Sequence, residues 1–135
     1  QLGYTVSGTN ALVTGRLAGS GVDSYDVDSG STSVRSPLIV LPDGHDLTLT
    51  FSYYFAHASN SSSTDYLRVK VVGSRSLQIL QELGASNDDD ARWQTFTYDL
   101  SGFAGQTIYI LIQVADTSNE SLVEAAIDDV LITAE

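Results

Sequence analysis

The segment from Asp46 to Phe55 alternates apolar and polar side chains with a period of two residues. One series consists of Leu47, Leu49, Phe51, Tyr53 and Phe55, and the other of Thr48, Thr50, Ser52 and Tyr54. Successive side chains of a β-strand point to opposite faces of the sheet, whereas a helix repeats about every 3.6 residues. The pattern therefore predicts an antiparallel strand with one face in a core and the other face exposed.

Further short segments are rich in β-branched and aromatic residues and are separated by turn residues at intervals of roughly 8 to 12 residues. They cover residues 2–6, 11–17, 32–41, 66–72, 77–83, 93–100, 107–114 and 121–132. None of them has a convincing helical period. The sequence therefore predicts an all-β fold, a two-sheet antiparallel β-sandwich of jelly-roll type, with residues 1–135 forming a single domain.

The charge of the chain limits its partners. It carries 17 Asp and Glu residues against 6 Lys and Arg, which gives a formal net charge of -11. This excess of negative charge repels nucleic-acid phosphates and anionic membrane surfaces, so neither is an expected partner. The chain contains no cysteine, which excludes disulfides, thiolate metal sites and a cysteine nucleophile.

Two adjacent carboxylates, Asp128 and Asp129, lie in the last predicted strand. If Ala126, Val130 and Ile132 face the core, Asp128 faces it with them, because residues two apart share a face. A buried carboxylate needs a partner, and a calcium ion held by carboxylate and carbonyl oxygens would provide one. We therefore predict a structural calcium site with Asp128 as a ligand, while Asp129, which points the other way, is the weaker candidate.

The glycine-rich loop of residues 18–30 is predicted to supply the rest of this calcium site. It offers turned-out carbonyl groups and three carboxylates, those of Asp23, Asp26 and Asp28. The alternative is a solvated acidic loop without a metal. Asp128 would then need a buried hydrogen-bond partner, for which Arg16 and Arg35 are the candidates.

A second group of oxygen ligands is predicted at one end of the sandwich, where loops cross between the sheets. Asp65, Asp116 and Glu124 are expected to lie there near His57, and a second cation site is one interpretation. The alternative is the ordinary polarity of surface loops. The acidic run of residues 88–90 is predicted to be solvated.

The outward face of the central strands is the predicted ligand-binding surface. It is expected to carry Tyr54, Tyr66, Arg68 and Lys70, with Tyr109 and Gln113 as further candidates and His57 at a strand end. Such a face can stack against a sugar ring or hold a peptide. The alternative is a tyrosine-covered surface that docks on a neighbouring domain. Trp93 is assigned to packing in the core or at its rim.

Several stretches carry a resemblance to a known family. They are residues 13–15 (Val-Thr-Gly), 26–28 (Asp-Val-Asp), 36–37 (Ser-Pro), 53–57 (Tyr-Tyr-Phe-Ala-His), 65–69 (Asp-Tyr-Leu-Arg-Val), 93–107 and 121–130. Residues 93–107 and 124–130 resemble the MAM-like and carbohydrate-binding-module-like jelly rolls of secreted bacterial hydrolases, and the other stretches match the accessory domain named next. The chain as a whole looks more like the accessory domain that follows the catalytic domain in bacterial zinc carboxypeptidases and other secreted peptidases. The resemblance implies a β-sandwich appended to an exported enzyme, often with structural calcium.

Catalysis by this chain has little support in the sequence. His45 and His57 belong to no His-Glu-x-x-His or His-x-x-Glu zinc pattern, and nothing marks two of the acids as a catalytic pair. We expect a non-catalytic, calcium-stabilised accessory module of a secreted bacterial hydrolase, a metallopeptidase in the first instance. It would act outside the cell, binding polysaccharide or extracellular protein or packing on the parent catalytic domain. The alternatives are a carbohydrate-binding module of a glycan-degrading enzyme and a small hydrolase in its own right.

Overall fold

The computed structural model describes residues 1–19, 25–117 and 120–135, and these residues form nine strands. The strands are β1 (Leu12–Val13), β2 (Gly30–Arg35), β3 (Ile39–Val40), β4 (Leu47–His57), β5 (Tyr66–Val72), β6 (Ser76–Leu83), β7 (Gln94–Asp99), β8 (Thr107–Asp116) and β9 (Val123–Ala134). One turn of 3-10 helix, Ser101–Phe103, precedes β8. In the described ranges, no helix has the length and apolar character needed to cross a membrane.

The strands form two antiparallel sheets that pack face to face. One sheet has the order β1-β9-β4-β7, and the other has the order β2-β8-β5-β6, with the two-residue β3 pairing to β8 beyond this path. Without β3, the eight remaining strands have the order of a jelly roll, in which the chain changes sheet after every strand except between β5 and β6. The predicted fold class is therefore confirmed.

The core lies between the two sheets, and β4 turns the predicted apolar series toward it, although Ser52 and Tyr54 on its outer face are buried as well. Leu49 and Phe51 are buried against the inner face of the second sheet, to which β5 contributes Leu67, Val69 and Val71. The centroids of the Phe51 and Phe96 rings lie 5.2 Å apart, and this aromatic contact stabilises the core beyond the burial of apolar area. The half-buried strands follow directly from the period of two residues in the sequence.

Three of the predicted strands differ from the structure at the start of the chain. Residues 2–6 form no strand, residues 11–17 contribute only the short β1, and the predicted strand 32–41 is divided into β2 and β3 on either side of Pro37. Proline has no N–H to donate to a ladder, which explains the division. The first seven residues instead run across the outer face of the β1-β9-β4-β7 sheet, where the Val6 N–H and the Tyr4 carbonyl are hydrogen-bonded.

Strand β9 changes register against β4, and this change moves Asp128 out of the core. Thr50 pairs with Leu131 but Ser52 pairs with Asp128, so β9 contains one extra residue, and Asp129 has a positive φ of 51° at this point. Asp128 therefore shares the outer face with Ser52. The prediction that Asp128 faces the core is wrong, because a two-residue alternation does not continue through a bulge.

A hydrogen bond between the two sheets closes one part of the sandwich. The Tyr53 hydroxyl on β4 donates to Glu82 Oε1 on β6 over 2.7 Å. Burial, together with this bond to a carboxylate, raises the pKa of Tyr53, so the hydroxyl stays a donor at all ordinary pH values. A hydrogen bond to a charged group contributes about 1.5–3 kcal/mol when its partner is otherwise left unsatisfied.

We expect Tyr53→Phe to lower the free energy of unfolding by about 1.5–3 kcal/mol, because Glu82 is then left without its donor. Urea denaturation checks this value. Tyr98→Phe is the control, since the Tyr98 hydroxyl makes no hydrogen bond within the described residues and its loss should change stability little. Equal losses in both variants would contradict a specific role for the link between the sheets.

Candidate ligand-binding face

The β2-β8-β5-β6 sheet presents one face away from the core. Because Leu67, Val69 and Val71 of β5 point inward, the residues between them point outward. We call this surface the basic face and define it by the outward side chains Arg35, Tyr66, Arg68, Lys70, Gln81, Tyr109 and Gln113. It contains three of the four strand residues predicted to bind a ligand, together with both further candidates.

Arg68 is held in a fixed orientation on this face. Its guanidinium carbon lies 3.8 Å above the centroid of the Tyr66 ring, and its Nε donates to Gln81 Oε1 over 2.8 Å. Stacking on a ring and a hydrogen bond on the adjoining strand together restrict a side chain that is otherwise flexible. The fixed guanidinium can donate in plane to a bound oxygen anion without first losing this freedom.

The strand register sets the spacing of the other cations. Lys70 on β5 and Arg35 on β2 are both paired with Leu111 of β8, so the three residues form one row across the sheet. Strands lie about 4.8 Å apart, which puts the backbones of Lys70 and Arg35 about 10 Å apart. Arg35 also lies over the Tyr109 ring, at 5.3 Å from its centroid. The face therefore has two arginines on tyrosine rings, and a lysine that shares a strand with Arg68 and a row with Arg35.

The charge on this face is opposite to that of the molecule. Three of the six basic residues of the chain lie here, although its net charge is -11. In the part of the chain that the structure describes, no carboxylate lies within 4.0 Å of a charged nitrogen of Arg35, Arg68 or Lys70. Unpaired cations on one surface create a local positive potential that attracts anions.

Tyr54 is not part of this face, contrary to the prediction. It lies on the other sheet, is only 1% exposed, and packs edge-to-face on Trp93 with the ring centroids 4.9 Å apart. Burial raises the pKa of its hydroxyl. The reason is that the first seven residues and Trp93 cover the outer face of that sheet. The prediction that Trp93 serves packing agrees with this contact.

His57 is also separate from the basic face. It is buried at the end of β4, exchanges two backbone hydrogen bonds with Asp89, and lies against the Phe55 ring. Together with Glu124 and residues 88–90, it lines a cavity of about 480 Å³. His57 cannot act with Tyr66 and Arg68 on one ligand, and the acidic run of residues 88–90 borders this cavity.

The predicted second carboxylate group is brought together only in part. The register that pairs Tyr66 with Ala115 puts Asp65 opposite Asp116, and both side chains are 0% exposed. Glu124 instead pairs with the amino group of Gln1 and lines the cavity beside His57. Asp65 and Asp116 therefore form a buried pair without Glu124 or His57.

The two carboxyl groups of this pair have opposite environments. Burial alone would raise the pKa of Asp65, but hydrogen bonds from Thr117, Ser62 and Ser61 outweigh it and hold that pKa below its usual value. Burial raises the pKa of Asp116, and the charge of Asp65 adds to the effect. The N–H of Ser121 donates to Asp116 Oδ2, but no donor among the described residues reaches Oδ1. Asp116 is therefore the member of the pair that favours a proton.

The structure does not assemble the calcium site predicted around Asp128. The N–H groups of Val6 and Asp129 each donate to one oxygen of Asp128, so backbone donors rather than Arg16 or Arg35 satisfy this carboxylate. The hydroxyl of Ser7 donates to Asp129. In the described ranges, no three His, Asp or Glu side chains are arranged to hold a metal ion.

The loop carboxylates lie too far from Asp128 to share a cation with it. The Val27 N–H bonds to the Val123 carbonyl, so Asp26 and Asp28 flank the start of β9. Asp128 follows five residues later, about 17 Å away along a strand, whereas calcium–oxygen contacts are about 2.3–2.6 Å. Asp23 lies outside the described residues, and calcium binding itself stays a prediction.

Sequence reasoning missed Arg35 and Gln81 as members of the basic face. Neither lies on the two central strands, and each joins Arg68 or Lys70 only through the pairing of β2 with β8 and of β6 with β5. The outward position of Arg35 follows from the alternation in β2, but a single sequence does not show which strands are neighbours.

The comparisons with known proteins find similar solved structures but no matching family. No protein-family model matches the sequence, and no curated protein does. Among solved structures, 18 chains match. One is a family 35 carbohydrate-binding module from an environmental isolate, with 18% identity, a TM-score of 0.42, and coverage of 93% of this chain and 89% of that one. Another is the EclA C-terminal domain, described as a sugar-binding protein, with 12% identity, a TM-score of 0.30, and coverage of 87% and 89%. Both TM-scores are too low to establish a shared fold, so the jelly-roll assignment rests on the strand pairing of this chain.

Proposed function

We propose that this chain is a non-catalytic module that binds polysaccharide through the basic face. The observation that carries the proposal is the grouping of tyrosine rings, glutamine amides and cationic side chains on one open sheet surface. Tyrosine rings contact the apolar faces of sugars, while amide and guanidinium groups hydrogen-bond to sugar oxygens. The carbohydrate-binding interpretation thus takes precedence over the peptidase-associated one.

The shape of the basic face favours a polymer over a small molecule. The structure has cavities of about 120, 240 and 480 Å³; Arg35 borders the one of 240 Å³, but none of the three is lined by Tyr66, Arg68 or Lys70. Small ligands are usually enclosed in concave pockets that remove most of their surface from water. An extended chain can instead lie along a flat sheet and contact several side chains at once.

Burial of the acidic pair supports a non-catalytic role. A glycosidase needs two carboxyl groups that reach the scissile bond. Asp65 and Asp116 have no exposed surface, so a substrate cannot reach them in this fold. The small-hydrolase alternative is therefore the weaker one. The setting we propose is extracellular, attached to a secreted hydrolase, and a link to a zinc carboxypeptidase stays a prediction.

We expect Tyr66→Ala to weaken binding to a retained polysaccharide by roughly fivefold, the equivalent of about 1 kcal/mol, because it removes an aromatic side chain from the face and the ring on which Arg68 stacks. Affinity electrophoresis over a panel of neutral and charged polysaccharides measures this change. Tyr4→Ala is the matched control, since Tyr4 is 64% exposed and lies beside Trp93 on the opposite sheet. Equal weakening in both variants, or no polysaccharide retained by the unmodified protein, would contradict the proposal.

A further inference from the structure

We infer that the ligand of the basic face is an anionic polysaccharide, whose carboxylate or sulfate groups bind Arg35, Arg68 and Lys70. This inference rests on the proposed function and specifies its ligand class. An acidic chain with few cations has half of its basic residues on one sheet face. Charge complementarity therefore selects a negatively charged occupant for this surface.

The arrangement of Arg68 favours an anion over a neutral sugar. Its guanidinium covers one side of the Tyr66 ring at 3.8 Å, so this side is closed to a stacking sugar. What faces the ligand is a planar cation that Gln81 holds in place. Guanidinium groups bind carboxylates, and other planar or tetrahedral oxyanions, through paired N–H donors.

The row formed by Lys70, Leu111 and Arg35 sets the spacing of the positive charges on the face. Two cations about 10 Å apart on either side of an apolar residue match a chain that presents charged groups at intervals along an apolar ring surface. Arg68 lies two residues from Lys70 on the same strand, about 7 Å away. Three cations at these separations contact a linear polyanion at several points, whereas one small anion would engage a single cation.

Nucleic acid is also a polyanion, and the rest of the molecule disfavours it. Three cations make few phosphate contacts, and duplex DNA carries one negative charge per about 1.7 Å of its axis, so a net charge of -11 repels it strongly. A polysaccharide with no more than one charge per sugar has a lower charge density and experiences less of this repulsion.

The test compares two triple variants with the same change in net charge. Arg35→Gln/Arg68→Gln/Lys70→Gln removes the cations of the basic face, and the control removes the other three basic residues, Arg16, Arg75 and Arg92, in the same way. The probes are polygalacturonate for carboxylates, κ-carrageenan for sulfates, unmodified dextran for neutral chains, and double-stranded DNA. Affinity is measured by affinity electrophoresis, and thermal melting confirms that each variant is folded.

We expect the unmodified protein to bind at least one of the two anionic polysaccharides more tightly than dextran, and the responding probe identifies the anion. The face variant should lose at least about tenfold in affinity while the control variant keeps it. With three ionic contacts, affinity should also fall on the order of tenfold between about 50 and 200 mM salt.

Four results would overturn the inference. Equal losses in the two triple variants would show that net charge alone governs binding. Tighter binding to DNA than to either anionic polysaccharide would assign the face to another class of polymer. Salt-insensitive binding to dextran, unchanged in the face variant, would reject an anionic ligand and leave the proposed polysaccharide function intact, whereas binding to no polysaccharide would reject both.

Discussion

Replacing Asp116 with asparagine is expected to raise the melting temperature at neutral pH, whereas the same change at Asp65 is expected to lower it. Both side chains are fully buried and lie opposite each other on β8 and next to β5. An asparagine at 116 still accepts from the Ser121 N–H, and its amide group can donate to Asp65. An asparagine at 65 loses the charge that the donors of Ser61, Ser62 and Thr117 stabilise.

The pH dependence has opposite signs for the two residues. Burial raises the pKa of Asp116 above its ordinary value of 3.8, so Asp116 takes up a proton on folding. The stability that this proton contributes is fully present below the unfolded pKa and is lost as the pH rises through the folded pKa. Burial alone would raise the pKa of Asp65, but its hydrogen bonds lower that pKa by more, so the pKa lies below its ordinary value. The stability that Asp65 contributes is therefore present above the unfolded pKa and is lost as the pH falls through the folded pKa.

Thermal melting of both variants at about pH 7 and about pH 4 measures these effects. Asp116→Asn should gain about 0.5–2 kcal/mol at neutral pH, a few degrees in melting temperature, and lose most of that gain at the acidic pH. Asp65→Asn should lose about 1.5–3 kcal/mol at neutral pH. Asp90→Asn, which changes an exposed carboxylate, is the control and should change the melting temperature little.

The same experiment distinguishes calcium from a proton as the group that neutralises the Asp65–Asp116 pair. A calcium ion bound only by the folded state would stabilise it by about 2.7 kcal/mol at 100 times its Kd. If calcium neutralises the Asp65–Asp116 pair, Asp116→Asn should lower the melting temperature and abolish any response to calcium or chelator. A higher melting temperature that is independent of chelator assigns the pair to a proton.

The fold class could be predicted from the sequence because strands such as β5 bury one face in the core. The alternation in β4 and β5 reports which side chains meet the core, and the spacing of turns limits the connections to those of a sandwich. The segment of residues 2–6 misleads, since it has the composition of a strand but covers a sheet face instead of pairing at an edge. Periodicity cannot distinguish these two ways of burying an apolar segment.

Residues of the candidate site could be predicted only on the sheet whose outer face is not covered by another part of the chain. Tyr54 and Tyr66 have the same outward position in the pattern, yet Tyr54 is covered and Tyr66 is partly exposed, because another part of the chain packs on the first sheet alone. Asp128 was misplaced for a different reason, since the extra residue at Asp129 reverses the faces of β9. Both errors arise from contacts between residues far apart in the sequence.

Tyr54→Ala is expected to be among the most destabilising single substitutions in this chain. The Tyr54 side chain is 1% exposed and packs against Trp93, so its removal leaves a cavity beneath the first seven residues. Truncation of a buried aromatic residue costs about 3–5 kcal/mol, a large share of the roughly 5–15 kcal/mol that stabilises a domain. The melting temperature should fall by more than about 10 degrees.

Tyr66→Ala is the matched control, because Tyr66 has the same side chain on an outward position of the other sheet. It should change the free energy of unfolding by less than about 1 kcal/mol while it weakens ligand binding. Trp93→Ala combined with Tyr54→Ala should cost less than the sum of the two single variants, since each removes the contact that the other makes. If Tyr54→Ala instead melts like the unmodified protein, the first seven residues do not cover this sheet in solution, and Tyr54 becomes available to a ligand on a second face.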